Sequence, residues 1–285
     1  MFSPSQLEAI YAFMTAFDEN PRMTLKQLHK KCSSYSAISS TSALLKRAQE
    51  NYVFIGPRLF VNAHLDVILV KIEDVNMEEY FRLWNNSVSD SKVRYAIMLA
   101  GGHALLTFKR GATLLTFAEA VKPTYPSTKT IFDIQPLKKG KLKKDIYPKN
   151  WNELDWQVYE YAKYPAIPLL KISEKLDVSW HTVKEHYNKI KKDCKTWHSF
   201  FPKGQMNYYH GFLTFKSEYE VGIRDELKKL DRTSFLYKFQ ETLILYLMLD
   251  DQRQINRFYD LEKEGIIHGL RVSSPIQWHK PDVLI

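Results

Sequence analysis

Two kinds of apolar spacing alternate along the chain, and the alternation runs through twice. Residues 3–17 place Leu7, Ile10, Tyr11, Met14 and Phe17 at helical intervals, and residues 152–163 do the same with Leu154, Val158, Tyr161 and Ala162. Ser3 with Pro4 supplies an N-cap and a first helical residue, and Ser5 followed by Glu8 offers a capping box. Two short helical stretches follow in each half, at 24–31 with 39–49 and at 168–176 with 179–191. A compact apolar hairpin closes each set, at 53–61 and at 199–209.

Beyond the hairpins the period shortens to that of strands. Val67-Ile68-Leu69-Val70-Lys71-Ile72-Glu73 matches residues 211–218, with Lys71 aligned on Lys216. Amphipathic helices then occupy 77–86 and 219–230, and strand pairs occupy 93–100 with 103–109 and 234–239 with 243–249. Second helices are expected at 113–121 and 253–264, and last strands at 130–135 and 267–273. Each half therefore reads as three helices and a hairpin, then β-α-β-β-α-β, the ferredoxin-like order. The fold class expected is α+β, two tandem copies of a winged helix-turn-helix domain followed by a ferredoxin-like domain. The boundaries are 1–64 and 65–137 for the first copy, 138–150 for a Lys-rich linker, and 151–208 and 209–285 for the second. That linker reads either as a tether held open by charge repulsion or as an arm that touches phosphates.

The second helix-turn-helix carries the more pointed chemistry. Ser179 is a good N-cap after the short turn Leu176-Asp177-Val178, and Val183, Tyr187 and Ile190 stack on one side of the helix. Trp180, His181, Thr182, Lys184, Glu185, Asn188 and Lys191 are left for a face that offers hydrogen bonds to base edges and cations to phosphates. In the first copy the corresponding helix holds Ser39, Ser40, Thr41, Ser42, Lys46 and Arg47, after a longer turn, and Leu44, Leu45 and Ala48 permit more than one register. Arg58 and Lys203 fall in the two wings, each within reach of a phosphate. Double-stranded DNA is the partner these residues suit.

Charge and composition narrow the remaining classes. The 285 residues include 41 Lys and Arg against 32 Asp and Glu, a net +9 that favours anionic partners without selecting one. Aromatics at 14% exclude disorder over most of the chain. Cys32 and Cys194 cannot build a disulfide framework or a four-cysteine zinc site, so a reducing, cytoplasmic setting is expected. There is no apolar run of about 18 residues, hence no expected transmembrane helix or membrane partner. The first residues lack the basic region of a signal peptide. Without a Gly-rich phosphate loop, a nucleophile elbow or an HExxH pair, no metal, no cofactor and no enzymatic activity is expected.

On Ile172-Ser173-Glu174-Lys175-Leu176-Asp177-Val178-Ser179-Trp180-His181-Thr182-Val183, and on Leu99-Ala100-Gly101-Gly102-His103-Ala104-Leu105-Leu106, the chain resembles the Lrp/AsnC (feast/famine) family of transcription regulators, here duplicated in tandem. The resemblance implies a DNA-binding regulator whose ferredoxin-like domains sense a small molecule. The effector site would lie by the glycine turn at Gly101, Gly102 and His103, although the acidic residue usual after that glycine is missing and the second copy has Phe239-Gln240-Glu241 instead. Because family members pair two sensing domains, a fused chain implies an intramolecular pseudo-dimer with unlike reading heads, open to further homo-oligomerisation. Two alternatives stand beside it. One is a scaffold that no longer touches DNA. The other is an enzyme like the siroheme decarboxylases, which resemble this family, with His103, Arg94 and Arg271 as groups for a haem-type substrate.

Overall fold

The computed structural model describes residues 2–61, 65–110 and 115–279. The domain boundary expected at residue 64, the start of the helix expected at 113–121 and the tail 280–285 lie outside the described residues. In chain order the first copy contributes α1 (Pro4–Glu19), α2 (Leu25–Cys32), α3 (Ile38–Glu50), β1 (Phe54–Phe60), β2 (Leu65–Lys71), α4 (Met77–Ser89), β3 (Val93–Gly101), β4 (His103–Arg110) and β5 (Leu115–Val121). The second contributes α5 (Glu153–Ala162), α6 (Leu169–Leu176), α7 (Trp180–Asp193), β6 (Lys195–Phe200), β7 (Tyr209–Ser217), α8 (Glu220–Leu227), β8 (Ser234–Phe239), β9 (Thr242–Leu249), α9 (Asn256–Lys263) and β10 (Ile267–His279). The fold is α+β, helix-turn-helix sets with ferredoxin-like sheets. The two copies are not laid end to end, however. Met1–Val61, Thr124–Pro126 and Ile146–Asn207 form one compact unit, and Asn62–Pro123, Ser127–Asp145 and Tyr208–Ile285 form the other.

The first unit holds both helix-turn-helix sets. Side-chain caps start several of its helices: Ser3 with Gln6 on α1, Thr24 with Gln27 on α2, Asn152 with Asp155 on α5 and Ser179 with Thr182 on α7. The capping box on α1 is thus Ser3–Gln6 rather than Ser5–Glu8. Each set has its own core, Ile10, Phe13, Met14 and Leu44 in one and Val158, Ile172, Val183 and Ile190 in the other. The expected wing hairpins are absent from the described residues. Each copy supplies one strand, and β1 pairs with β6 antiparallel, Phe54 opposite Phe200 and Phe60 opposite Lys195. Two antiparallel strands satisfy each other's backbone groups as well across copies as within a hairpin. Arg22 of the first copy adds to that junction. Its guanidinium donates to the carbonyls of Ala162, Pro165 and Ile167 and lies 4.6 Å from the centre of the Tyr187 ring.

In the second unit the described strands form one eight-stranded sheet in the order β2-β4-β3-β10-β7-β9-β8-β5. Strands β10-β7-β9-β8 with α8 and α9 make a complete ferredoxin-like copy, whose outer face packs Leu213, Phe215, Leu243, Leu245 and Leu247 under Ile223, Leu227, Phe258 and Leu261. The first copy is abridged. The segment expected as its second helix is strand β5, the segment expected as its last strand carries a short 3-10 turn (Ile131–Asp133), and only residues 111–114 lie between β4 and β5. Leu115-Thr116-Phe117-Ala118-Glu119-Ala120-Val121 supports either period, and pairing with β8 decides it. Each copy's last strand reaches a strand of the other: β10 pairs with β7 of its own copy and, from Ser273 on, with β3, while β5 pairs with β8. That reach explains why β10 runs six residues past its expected end, since its second half, from Ser273 to His279, lies along β3.

Residues 138–145 of the Lys-rich stretch are built into this unit rather than forming a tether. Gly140 N–H donates to the Glu218 carbonyl, and Val221 N–H returns a bond to the Gly140 carbonyl. Leu142 is buried and its N–H donates to the Glu220 carboxylate at 2.8 Å. Lys139 pairs with Glu218 at 3.0 Å, and Lys141 pairs with Glu220 at 3.1 Å and Glu241 at 3.2 Å. Lys138, Lys143 and Lys144 remain exposed.

Candidate functional site

Every second residue of the sheet turns away from the helices, and in this unit those residues are as apolar as the covered ones. On β9, Leu243, Leu245 and Leu247 face the helices, so Ile244, Tyr246 and Met248 face inward. On β3 and β4, Ala96, Met98 and Leu105 pack under Trp84 of α4, leaving Tyr95, Ile97, Leu106 and Phe108 on the inner face. The two ends of the sheet curl toward each other, because Phe108 on β4 reaches Tyr237 on β8, five places along the strand order, with ring centres 5.2 Å apart.

An aromatic belt lines this inner face. Tyr95 meets Phe108 at 6.1 Å, Phe108 meets Tyr237, and Phe235 stacks on Tyr246 at 5.7 Å with 19° between planes. His210 continues the belt from β7, edge-on to Tyr246 at 5.6 Å and to Trp278 at 5.9 Å. Trp278 in turn lies opposite Ile97 on β3, two residues from Tyr95. A hydrogen bond of 2.7 Å joins the Tyr246 hydroxyl to His210 Nδ1 and fixes the imidazole's orientation. Tyr95, Phe235, Tyr237, His210 and Trp278 are only half-buried, so the belt offers flat apolar faces and one imidazole to a planar ligand. The sequence pattern held a signal for it. A strand such as Thr242–Leu249 that is apolar at odd and even positions alike has both faces covered.

The glycine turn expected as an effector site joins β3 to β4 and rests on the main chain of β10. A Cβ on Gly101, whose φ is +112°, would stand 2.6 Å from the Val272 carbonyl oxygen, and Gly102 N–H donates to that oxygen at 2.8 Å. His103 is buried, with its N–H donating to Ser273 Oγ at 3.1 Å. Burial first, and the neighbouring Arg271 charge second, lower its pKa to about 4, so its imidazole is neutral near pH 7. Arg271 is engaged by both oxygens of Glu73, at 3.0 and 2.8 Å. Of the three groups singled out for a haem-type substrate, His103 and Arg271 thus come together, whereas Arg94 lies toward the opposite end of β3.

In the helix-turn-helix unit the two expected reading helices differ. On α7, Ser179 accepts the Thr182 N–H at 3.0 Å, and Val183, Tyr187 and Ile190 are buried. Trp180, His181, Lys184, Glu185 and Asn188 are exposed, Thr182 and Lys191 half-buried. Lys184 lies over the Trp180 ring at 4.9 Å, and His181 stands 3.4 Å from Glu185. On α3 the N-cap is Ala37, which makes no side-chain cap. Thr41 is fully buried, bonded to His29 at 2.8 Å and Ser33 at 2.6 Å, so it ties α2 to α3 instead of facing outward. Arg47 is held by Gln6 at 2.8 Å and covers the Phe2 ring, while Lys46 lies 3.8 Å from Glu50. Ser39 and Ser40 are exposed and Ser42 half-buried. Arg58 covers Trp197 across the β1–β6 ribbon at 5.6 Å, and Lys203 sits in the exposed turn after β6.

Among the described residues no helix is long and apolar enough to cross a membrane, and no cluster of His, Cys, Asp and Glu is placed to hold a metal. No protein-family model matches the sequence, and no curated protein matches it. Solved structures do share the fold. The siroheme decarboxylase NirDL superposes with a TM-score of 0.57 over 95% of this chain and 91% of its own, at 8% identity. NirDL in co-complex with an iron-uroporphyrin III analogue gives 0.55 over 94% and 90%, at 10% identity. This finding overturns the expectation that the chain is not an enzyme. That expectation rested on missing motifs, whereas the two solved structures that share the fold are of a siroheme decarboxylase.

Proposed function

We propose that the chain binds a planar, carboxylate-bearing tetrapyrrole on the inner face of its sheet and decarboxylates it, as a siroheme-decarboxylase-like enzyme. The observation that carries this reading is the belt of half-buried aromatic side chains around His210. Stacking on aromatic faces suits a flat conjugated ring, and a fixed imidazole suits the exchange of a proton with it. The whole-chain likeness to a protein solved with an iron-uroporphyrin III analogue supports the choice of macrocycle. The reaction breaks the bond between a side-chain carbon and its carboxylate, releases carbon dioxide and returns one proton to that carbon. Incubating the purified chain with siroheme and weighing the product by mass spectrometry tests it. Loss of carbon dioxide supports the reading, and unchanged siroheme under conditions where a siroheme decarboxylase turns over refutes it.

A second reading rests on α7. Its capped start and its exposed Trp180, His181, Lys184, Glu185 and Asn188 are the face a DNA-reading helix presents, so unit one is proposed to contact double-stranded DNA chiefly through the second copy. Selection from random duplexes at two salt concentrations tests this. Salt-sensitive retention that Lys184→Ala weakens on all sequences supports it. No retention at low salt refutes it.

A further inference from the structure

The shared sheet gives each inward position in one copy a counterpart in the other, and the pairing registers identify them. Tyr246 lies opposite Phe235 between β9 and β8, where Phe108 lies opposite Tyr95 between β4 and β3. Trp278 of β10 lies opposite Ile97, where Ala118 of β5 lies opposite Tyr237. His210 lies opposite Met248 between β7 and β9, where Leu65 lies opposite Arg110 between β2 and β4. The second copy's wall therefore presents phenol and indole at positions the first copy fills with Phe108 and Ala118, and an imidazole at the register where the first copy's sequence has Leu65.

The difference is chemical, not only one of sequence. Phe108 has no hydroxyl to orient an imidazole, and its ring is spent on Tyr237 across the interior. Ala118 is fully buried and offers no aromatic face. Tyr246, by contrast, fixes His210 through Nδ1 and stacks on Phe235, with Trp278 edge-on to the imidazole. Resting on the tetrapyrrole reading above, we propose that duplication has left one ligand site per chain, on the second copy's wall, with His210 and Trp278 as its binding residues and Tyr246 as a positioning residue. The equivalent positions of the first copy, Phe108 and Ala118, pack the interior and hold no second macrocycle.

Titration of the full chain with iron-uroporphyrin III, followed by absorbance, tests the proposal. The result expected is one macrocycle per chain. His210→Gln and Trp278→Leu each weaken binding about tenfold or more, and Tyr246→Phe changes its pH dependence. Thermal melts of each variant establish that it is folded, and the stoichiometry of the unaltered chain needs no variant at all. Two macrocycles per chain overturn the proposal. So does one macrocycle whose affinity ignores His210→Gln and Trp278→Leu, while the tetrapyrrole reading survives both results. No binding at any concentration overturns that reading, and the single-site proposal with it.

Discussion

Replacing Lys238 tests how the Lys-rich stretch and the second ferredoxin-like copy hold together. Glu220 opens α8 and is fully buried. Its carboxylate accepts the Lys238 ammonium at 2.9 and 3.0 Å and the Leu142 N–H at 2.8 Å, and Lys141 stands 3.1 Å away. Lys238 is almost as deep, in strand β8. Such a pair is worth little against a well-packed apolar replacement, but removing one partner strands a charge away from water, at about 3–5 kcal/mol. Glu220→Gln keeps an acceptor for Leu142 yet leaves the Lys238 ammonium without its carboxylate, so it belongs at the upper end of that range. Lys238→Met leaves the carboxylate with Lys141 and the Leu142 N–H, and belongs near about 3 kcal/mol. The double variant Glu220→Gln with Lys238→Met removes both charges, keeps an acceptor for the Leu142 N–H, and is expected within about 1–2 kcal/mol of the unaltered chain. Urea unfolding followed by circular dichroism measures all three, with a melting-temperature drop of roughly 2–4 °C per kcal/mol as a check. If each single change costs less than about 1 kcal/mol, or the double costs their sum, the pair is not the buried, mutually dependent one described.

Three further outcomes follow from the same geometry. His103, whose pKa falls to about 4 in the fold against 6.5 for the free side chain, takes up a proton more readily when unfolded, so stability rises with pH between about 4 and 6.5 and is flat on either side. Urea unfolding at pH 4.5 and pH 7 should show that slope, at most about 3 kcal/mol, and His103→Leu should remove it; an unchanged slope in the variant would assign it to other groups. Gly101→Ala, with a positive φ and a carbonyl 2.6 Å from the new Cβ, should cost about 1–3 kcal/mol or more, whereas Gly265→Ala, at φ +72° with open space around it, should cost about 1 kcal/mol; equal losses would mean that contact with β10 is not what requires Gly101. Arg22→Ala removes three hydrogen bonds to main-chain carbonyls of the other copy and the Tyr187 contact, and should destabilise the helix-turn-helix unit by about 2–4 kcal/mol in thermal unfolding, where a loss under about 0.5 kcal/mol would refute its bridging role.

What the sequence revealed and what it hid divide along a physical line. Local features were legible: Ser179 as the cap of α7, Val183, Tyr187 and Ile190 as its buried side, the glycine turn between β3 and β4, and the βαββ order of both copies. These depend on residues three or four apart, or on period-two alternation. The partner of each strand depends on residues far away in the chain. Nothing local tells Phe54 that it will lie opposite Phe200 rather than within a hairpin, or Ala118 that it will lie opposite Tyr237 rather than on a helix. Thr41 reads as a reading-helix hydroxyl until His29 and Ser33 are seen beside it. The site followed the same rule. Gly101, Gly102 and His103 stood out because glycine pairs are conspicuous, while His210, Tyr246 and Trp278, scattered over 69 residues of strand and helix, become a cluster only once the sheet curls.

A crystal structure of the chain with iron-uroporphyrin III tests the central claim most directly. The account predicts one macrocycle on the inner face of the sheet, stacked within the belt and contacting His210 and Trp278. A macrocycle bound by the helix-turn-helix unit, or on the helix-covered face of the sheet, would contradict it.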